Sequence, residues 1–438
     1  MQNRIQKLIT VVLALLFLGS VPLVLLNTAG YRINLRTRQL ERTGILILRS
    51  TPTDARILLD GVLQDERTPT RLSKLLPREY RVTVDQEGYQ PWNKLLTVES
   101  QRSAFAQNIV LFPDHLPERI SDAEARAIAV SSDGTLAYDH TSGAFTEIRL
   151  RRPNGEKVVV TRVAHRTGGE PELSLNWSPD GRTLLAHGDI APTLVGNDGS
   201  HRALSAPGPL SSAVWSDQDL FLLPDGQPMY LPAGGVMQTV TTSTAQLLWH
   251  QDGLTYLGRT TSSTVTVDVL AANGALLHPA LFRITPGWNS RFIPSPQGLL
   301  TVLGDERVRV FDAATGALVI DREARGAVWR TDGAIELLIW TDSELWTTGT
   351  DGNATLLTRL GAPIRDAAWY PGGTHVLYAS GDTLSAIERD DRGGRVITPL
   401  FTLPGFGTFV VDEKGAAVFA TAAPAGKPGI FRYPILVP

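Results

Sequence analysis

The sequence contains no cysteine among its 438 residues. This absence excludes disulfide bonds, thiolate catalysis and any zinc or iron–sulfur site that depends on cysteine ligands. It does not identify a compartment, because a large domain needs no disulfide in an oxidising environment and cytosolic proteins also lack them. Charged residues are scarce as well, at 19% of the chain with a formal net charge of −3. This balance gives no general attraction to nucleic acid, and we predict that the protein binds none.

Motifs that mark common catalytic and metal sites are also missing. The sequence has no Gly-x-Ser-x-Gly, Ser-x-x-Lys, Gly-x-x-x-x-Gly-Lys or His-Glu-x-x-His. His187 and Asp189 would face the same side of a strand, and we interpret them as a polar surface contact, with a metal-ligand pair as the alternative. We therefore predict no catalytic residue, no metal and no cofactor.

The first residues form a long uncharged, apolar segment between Leu8 and Leu26. Nineteen helical residues span about 28 Å, which is close to the thickness of the hydrocarbon core of a bilayer. We predict that residues 1–30 are an uncleaved membrane anchor. A cleaved signal peptide is the alternative, although its apolar region would normally be shorter.

The orientation of this helix is not fixed by its flanking charges. Arg4 and Lys7 precede the helix, and a larger group of arginines follows it, namely Arg32, Arg36, Arg38 and Arg42. Charge counting would keep the second flank in the cytoplasm, but long domains after one N-terminal anchor commonly translocate. We predict a single-pass protein of the cytoplasmic membrane whose C-terminal domains are extracytoplasmic.

Residues 44–112 have the pattern of a small all-β domain, joined to the anchor by an arginine-rich connector at 31–43. Predicted strands cover residues 44–49, 55–59, 79–84, 92–98 and 105–111. Asp60–Gly61 and Glu87–Gly88 are predicted turns. Two prolines within residues 113–117 interrupt further pairing, so we place a linker at 113–118.

This domain resembles the PEGA family. The matching segments, in order, are residues 52–61 (Pro-Thr-Asp-Ala, a strand, then Asp-Gly), 68–69 (Thr-Pro), 75–80 (Leu-Leu-Pro-Arg-Glu-Tyr) and 88–89 (Gly-Tyr). Thr53 and Asp54 replace the eponymous Glu-Gly, and Arg78 replaces the turn glycine of the family. The resemblance implies a small β-sandwich-like module of the kind often found in envelope or surface-exposed proteins, with no catalytic residues.

Residues 119–438 carry a turn signature that returns eight times, at intervals of about forty residues. Its clearest copy is Trp-Ser-Pro-Asp-Gly at residues 177–181, between two short apolar runs. An Asp-Gly turn between such runs predicts a β-hairpin, because glycine accepts a positive φ without steric cost. The pattern resembles WD40-like bacterial propeller repeats, in which each repeat forms one four-stranded blade.

The strand count predicts how the propeller closes. Only two clear strands follow the last turn, and an unassigned segment of strand length, residues 115–121, precedes the first repeat. If this segment completes the last blade, both ends of the domain lie in one sheet and no open edge is left. This favours eight blades, with seven as the alternative.

The predicted function is binding. The tryptophans of the repeated motif suit packing between blades, because aromatic side chains bury large areas. Three others lie outside the motif, Trp288, Trp340 and Trp346; core packing is favoured for them, with a sugar- or peptide-binding surface as the alternative. We predict a membrane-anchored scaffold that recognises an envelope protein or a cell-wall glycan. The alternative is an extracytoplasmic polysaccharide hydrolase or lyase, which would require two or three carboxylates or histidines at one mouth of the channel.

Overall fold

The computed structural model describes residues 2–28, 31–34, 39–142, 145–164, 173–261, 264–285, 290–330 and 332–435. These residues form one helix, α1 (Gln2–Thr28), followed by β-strands and two short 3-10 turns at Pro371–Gly373 and Pro424–Gly426. The chain divides into two compact units, residues 1–114 with 390–398 (unit 1) and residues 115–389 with 399–438 (unit 2). The predicted all-β class with one N-terminal apolar helix is confirmed.

Helix α1 is long and apolar enough to cross a membrane. Its most apolar stretch, Ile9–Leu26, has a mean hydropathy of 2.7 and is not buried against any other described part of the chain. Leu13, Leu15 and Leu16 are each more than half exposed. A membrane span and an N-terminal signal sequence share these properties.

Unit 1 begins with a hairpin and continues with two sheets. The hairpin pairs β1 (Tyr31–Asn34) with β2 (Gln39–Arg42), so the predicted connector carries regular structure. The strands that follow are β3 (Gly44–Thr51), β4 (Arg56–Leu59), β5 (Val62–Arg67), β6 (Thr70–Leu75), β7 (Arg78–Asp85), β8 (Trp92–Val98) and β9 (Ser103–Val110). One sheet has the order β6-β3-β9, with β3 and β9 parallel, and the other has the order β5-β4-β7-β8.

The two sheets of unit 1 enclose one core. Leu46 and Leu48 of the first sheet pack in the same cluster as Val82, Val84 and other residues of the second. Strand β8 alternates strictly between buried and exposed residues, as expected for a strand with one face on a core. The predicted β-sandwich-like module is therefore present. Strands β5 and β6 were not predicted, because β5 buries none of its residues and β6 buries only Leu72, so neither shows apolar alternation.

A lysine interrupts the apolar face of β8. The Lys94 side chain is fully buried, and its Nζ lies 2.7 Å from the Asp390 carbonyl oxygen and 3.6 Å from the carboxylate Oδ2. Both residues belong to unit 1, which includes residues 390–398. Burial opposes ionisation of Asp390, but hydrogen bonds from Arg392 and the charge of Lys94 lower its pKa below the ordinary value. The buried ammonium group is thus paired, as a buried charge requires.

Among its described residues, unit 2 contains eight four-stranded sheets, numbered here in chain order. A first strand, β10 (Glu118–Ser121), precedes them. Sheet 1 consists of β11 (Ile128–Val130), β12 (Leu136–Ser142), β13 (Phe145–Arg151) and β14 (Lys157–Ala164). Sheet 2 consists of β15 (Leu173–Trp177), β16 (Thr183–Gly188), β17 (Thr193–Gly196) and β18 (His201–Ala203). Sheet 3 consists of β19 (Leu210–Ser216), β20 (Asp219–Pro224), β21 (Met229–Leu231) and β22 (Gln238–Thr239).

The later sheets repeat this arrangement. Sheet 4 consists of β23 (Leu247–Gln251), β24 (Leu254–Thr261), β25 (Thr264–Leu270) and β26 (Leu276–Ile284). Sheet 5 consists of β27 (Arg291–Ile293), β28 (Leu299–Gly304), β29 (Arg307–Asp312) and β30 (Leu318–Glu323). Sheet 6 consists of β31 (Gly326–Arg330), β32 (Glu336–Trp340), β33 (Glu344–Gly349) and β34 (Ala354–Arg359). Sheet 7 consists of β35 (Ile364–Trp369), β36 (His375–Ser380), β37 (Thr383–Glu388) and β38 (Ile397–Thr402).

Sheet 8 joins the two ends of unit 2. Its strands β39 (Phe409–Val411), β40 (Ala417–Ala422) and β41 (Gly429–Pro434) are completed by β10 on the open side of β41. Arg119 of β10 pairs with Phe431 of β41 in antiparallel register. The first strands of sheets 1 and 8, β11 and β39, are in contact. The pairing agrees with the predicted use of residues 115–121 to close the last blade.

The apolar core of unit 2 lies between successive sheets. Ile148 of sheet 1 and Leu184 of sheet 2 belong to one buried cluster, and Val308 of sheet 5 and Leu337 of sheet 6 belong to another. The second strand of each sheet is covered on both faces; β16, for example, buries four consecutive residues. Each sheet is therefore stabilised mainly by its neighbours, as in other repeat architectures.

Candidate binding site

Tryptophans near the ends of the first strands connect neighbouring sheets of unit 2. The Trp177 indole Nε1 donates to the Ala129 carbonyl oxygen at 3.4 Å, and Trp215 Nε1 donates to Asn176 at 3.1 Å. In each case the acceptor lies on the first strand of the preceding sheet. The prediction that the motif tryptophans pack between blades is confirmed at these positions.

Trp369 of sheet 7 makes the same bond, since its Nε1 donates to the Val328 carbonyl oxygen of sheet 6 at 3.1 Å. Trp249 and Trp329 occupy the same repeat position but are each only 9% exposed. Trp329 donates to the Thr301 hydroxyl of the preceding sheet at 2.8 Å. The repeat thus fixes the indole N–H while leaving different amounts of the ring uncovered.

A cavity of about 1040 Å³ lies where the first strands of sheets 1 to 5 end. Trp177, Trp215 and Trp249 line it, with small polar residues between them. Trp177 and Trp215 are half-buried. In the preceding sheets, Ser131 and Ser178 hold the position two residues after the acceptor of each indole hydrogen bond.

Sheets 6 and 7 carry large residues at the position after the tryptophan. Arg330 follows Trp329, and Tyr370 follows Trp369. The Arg330 and Arg389 guanidinium carbons lie 5.3 and 5.5 Å from the centre of the Trp369 ring. This is the distance range of a cation–π contact.

A carboxylate bridges these two arginines. Arg330 donates to Glu336 Oε2 at 2.6 Å, and Arg389 donates to Glu336 Oε1. The Arg330 side chain is 7% exposed, so its charge is almost fully desolvated. We call Arg330, Glu336, Trp369 and Arg389 the arginine clasp. It ties sheet 6 to sheet 7, and none of its four residues lines the cavity.

The turns that follow the first strands supply negative charge. Hydrogen bonds from Ser178 Oγ (2.6 Å) and the Arg182 N–H (3.1 Å) lower the pKa of Asp180. These contacts show that Asp180 stabilises its turn. In the cavity lining, the exposed carboxylates are Asp217, Asp252 and Glu413, and Arg291 is the cation.

Two histidines also line the cavity. His187 is 8% exposed, and its Nε2 lies 3.0 Å from Asn176 Nδ2. Burial lowers the pKa of His187 to about 4, so the ring is neutral at pH 7. The predicted surface contact of His187 with Asp189 is therefore wrong for the histidine, because both faces of β16 are covered. His250 stacks on Phe221 with ring centres 3.7 Å apart.

Of the three tryptophans predicted as alternative binding residues, Trp340 and Trp346 do not line the cavity. Trp288 lies outside the described residues. Trp340 is 9% exposed and packs against Gly326, where a Cβ would meet the indole at 2.1 Å; its place is that of a core side chain. Trp346 is half-buried, and its Nε1 donates to Glu344 at 2.9 Å. The cavity tryptophans were recognised in the sequence, but only as packing residues.

The carboxyl groups suited to acid catalysis lie elsewhere. Burial raises the pKa of Asp139 and raises that of Asp366 to about 6. Asp139 accepts the N–H groups of Arg126 and Ala127, each at 2.8 Å, which gives it a structural role. Neither aspartate lines the cavity. Among the residues that the structure describes, no group of three or more acidic or histidine side chains could hold a metal ion.

Comparison with known proteins identifies both units. Residues 43–111 match the model of the PEGA domain family. The C-terminal WD40 domain of Sif2 is similar at 12% identity and a TM-score of 0.51, over 74% of this chain and 99% of that one. The Dos1 propeller is similar at 12% identity and a TM-score of 0.51, over 72% of this chain and 93% of that one. A search of curated proteins finds no match to this sequence. The chain therefore carries a PEGA domain and a β-propeller, as the sequence predicted.

Proposed function

We propose that the protein is a membrane-anchored, extracytoplasmic binding protein. Helix α1 serves as the anchor, the PEGA domain as a stalk, and the propeller as the head that recognises an envelope protein or a cell-wall glycan. The observation that carries the proposal is the cavity of about 1040 Å³, with half-buried indole rings in its lining. Binding sites combine such apolar surfaces with a few polar groups that orient the ligand.

Recognition is favoured over turnover by the chemistry of the lining. A glycoside hydrolase needs one carboxyl group with a raised pKa close to a second carboxylate. The described carboxyl groups with raised pKa values, Asp139 and Asp366, are outside the cavity, and both contact backbone N–H groups. The tether would confine the head near the membrane and raise its effective concentration for neighbouring partners.

Site-specific photo-crosslinking in intact cells tests the binding role. A benzoylphenylalanine replaces Ser216, which lines the cavity; the control replaces Leu318, an exposed residue of β30. We expect a discrete adduct from position 216 and none from position 318. Failure to form an adduct at 216, or the same adducts from both positions, would contradict the proposal.

The extracytoplasmic placement has its own test. Protease added to spheroplasts should digest the propeller while a cytoplasmic marker protein stays intact. Full protection of the propeller, with digestion after lysis, would show that the head faces the cytoplasm. Loss of α1 from the mature protein, detected by mass spectrometry, would instead identify a cleaved signal sequence.

A further inference from the structure

One repeat shows what the indole at the end of a first strand can bind. In sheet 7, Trp369 keeps its N–H on the preceding strand and receives two guanidinium groups, at 5.3 and 5.5 Å from the ring centre. The guanidinium group is planar and weakly hydrated, so it approaches an aromatic face more readily than an ammonium group. The protein thus contains an occupied example of an arginine–tryptophan contact.

Trp177 and Trp215 hold the same repeat position in sheets 2 and 3. Their indole N–H groups are also bonded to the first strand of the preceding sheet, so the polar atom of each ring is already paired. Ser131 of sheet 1 and Ser178 of sheet 2 stand two residues after the acceptors of these bonds, the place that Arg330 holds after Val328 in sheet 6. Within the described parts of the chain, no guanidinium group is placed over either ring. The cavity therefore contains tryptophans at the same repeat position as Trp369, with no described guanidinium group over their rings.

The charges around the cavity favour a cationic ligand. Its lining contains three exposed carboxylates, Asp217, Asp252 and Glu413, and one arginine, Arg291. His187 contributes no positive charge at pH 7, because burial lowers its pKa to about 4. An uncharged glycan would gain nothing from this excess of negative charge, whereas a basic peptide would.

We propose that the cavity binds an arginine-containing, extended segment of a partner protein, with a guanidinium group over Trp177 or Trp215. Asp217, Asp252 and Glu413 supply the opposite charge. The inference rests on the proposed binding function and names the chemical class of its partner. The arginine clasp is the internal counterpart of the contact that the partner would make.

The test measures the affinity of defined peptides for the full chain in zwitterionic detergent. The probe is a fluorescent glycine–serine nonapeptide with three arginines, compared with the same peptide carrying citrulline, a neutral isostere. We expect the arginine peptide to bind at least about tenfold more tightly. A lysine version should fall between the two, because it keeps the charge but loses the planar group.

Two matched double variants locate the site. Asp217→Asn with Asp252→Asn removes two carboxylates of the lining and should weaken binding of the arginine peptide about tenfold. Asp198→Asn with Asp351→Asn removes two exposed turn carboxylates outside the lining and should leave it within about twofold. Asparagine accepts the positive φ of positions 217 and 252, so the variant of the lining keeps the turn conformation.

Three outcomes would overturn the inference. These are equal affinity for the arginine and citrulline peptides, an equal loss in both double variants, and binding of a β-1,4-linked N-acetylglucosamine tetramer in place of the arginine peptide. The last would leave the proposed binding function standing with a glycan as partner. Loss of the photo-crosslink at position 216 would instead remove the binding function itself.

Discussion

Sheets 2 and 3 and sheets 6 and 7 use the same tryptophan position in different ways. Beside the cavity, Trp177 and Trp215 stay half-buried, and the preceding sheets carry Ser131 and Ser178 where sheet 6 carries Arg330. At the arginine clasp, two guanidinium groups lie over Trp369, and Glu336 binds both. The hydrogen bond from the indole to the preceding strand is common to both regions.

This difference separates two roles of one repeat. At Trp177, Trp215 and Trp369 the indole N–H bond joins adjacent first strands, so it belongs to the fold. The ring of Trp369 is approached by Arg330 of the preceding sheet, whereas the sheets that precede Trp177 and Trp215 carry serine at that position. A structural tryptophan in a repeat can therefore become a binding residue through a change in a residue of the preceding sheet.

Breaking the clasp should have the largest effect on stability. Glu336→Ala leaves two arginines next to each other, one of them 7% exposed, with no shared carboxylate. Removing one partner of a buried ion pair typically costs about 3–5 kcal/mol, and we expect a value near the lower end. Denaturant unfolding followed by tryptophan fluorescence measures it.

The control is Glu156→Ala, which removes the partner of Arg152 at a turn where both side chains are partly exposed. We expect a change of less than about 1 kcal/mol, because solvent screens an exposed pair. Equal losses in the two variants would mean that the clasp is no more than a surface ion pair.

The pH dependence of stability should differ between the two regions. Burial lowers the pKa of His187 from 6.5 to about 4. The stability that the neutral ring contributes to the folded state is therefore lost as the pH falls from 6.5 to about 4. Burial raises the pKa of Asp366 from 3.8 to about 6. The stability that the protonated carboxyl group contributes to the folded state is therefore lost as the pH rises from 3.8 to about 6. Each pKa shift corresponds to a change of about 3 kcal/mol at most in the free energy of unfolding. In the native protein the two changes have opposite signs as the pH rises.

Single substitutions should reveal the two slopes. His187→Gln keeps a hydrogen-bond acceptor near Asn176, and its stability should fall relative to the native protein as the pH rises from 4 to 6. Asp366→Asn should show the opposite trend. The test is the free energy of unfolding of each variant, measured at several pH values between 4 and 6. The same pH dependence in both variants would contradict the roles given to His187 and Asp366.

Glycine substitutions beside the clasp should give a smaller, graded effect. Gly372 and Gly373 both have positive φ, but a Cβ on Gly373 would lie 2.3 Å from Arg330 Cζ, whereas one on Gly372 meets nothing within 4 Å. Gly372→Ala should cost about 1 kcal/mol of backbone strain. Gly373→Ala should cost about 2 kcal/mol more, because it also displaces Arg330. Equal melting temperatures would show that the clasp can move without loss.

The repeated elements could be predicted from the sequence because their signals are local. Asp180 and Gly181 mark a turn, and the apolar runs on either side mark its strands. Strand β10 could be assigned to the last sheet by counting strands. Strand β5 was missed, because all of its residues lie at least partly exposed and alternation gave no signal.

The candidate site could be predicted only in part. The clasp joins Glu336 to Arg389, 53 positions apart, and the Lys94–Asp390 pair joins residues 296 positions apart. No local pattern marks such partners. The buried state of His187 was also missed, because a polar residue on an interior strand of a propeller is covered on both faces.

Fluorine NMR of the protein labelled with 5-fluorotryptophan tests the central claim most directly. Resonances of Trp177, Trp215 and Trp369 can be assigned by single Trp→Phe substitutions. On addition of the arginine nonapeptide, we predict that the Trp177 and Trp215 resonances shift with saturation while the Trp369 resonance does not move. Equal shifts of all three resonances, or a shift of Trp369 alone, would contradict the account.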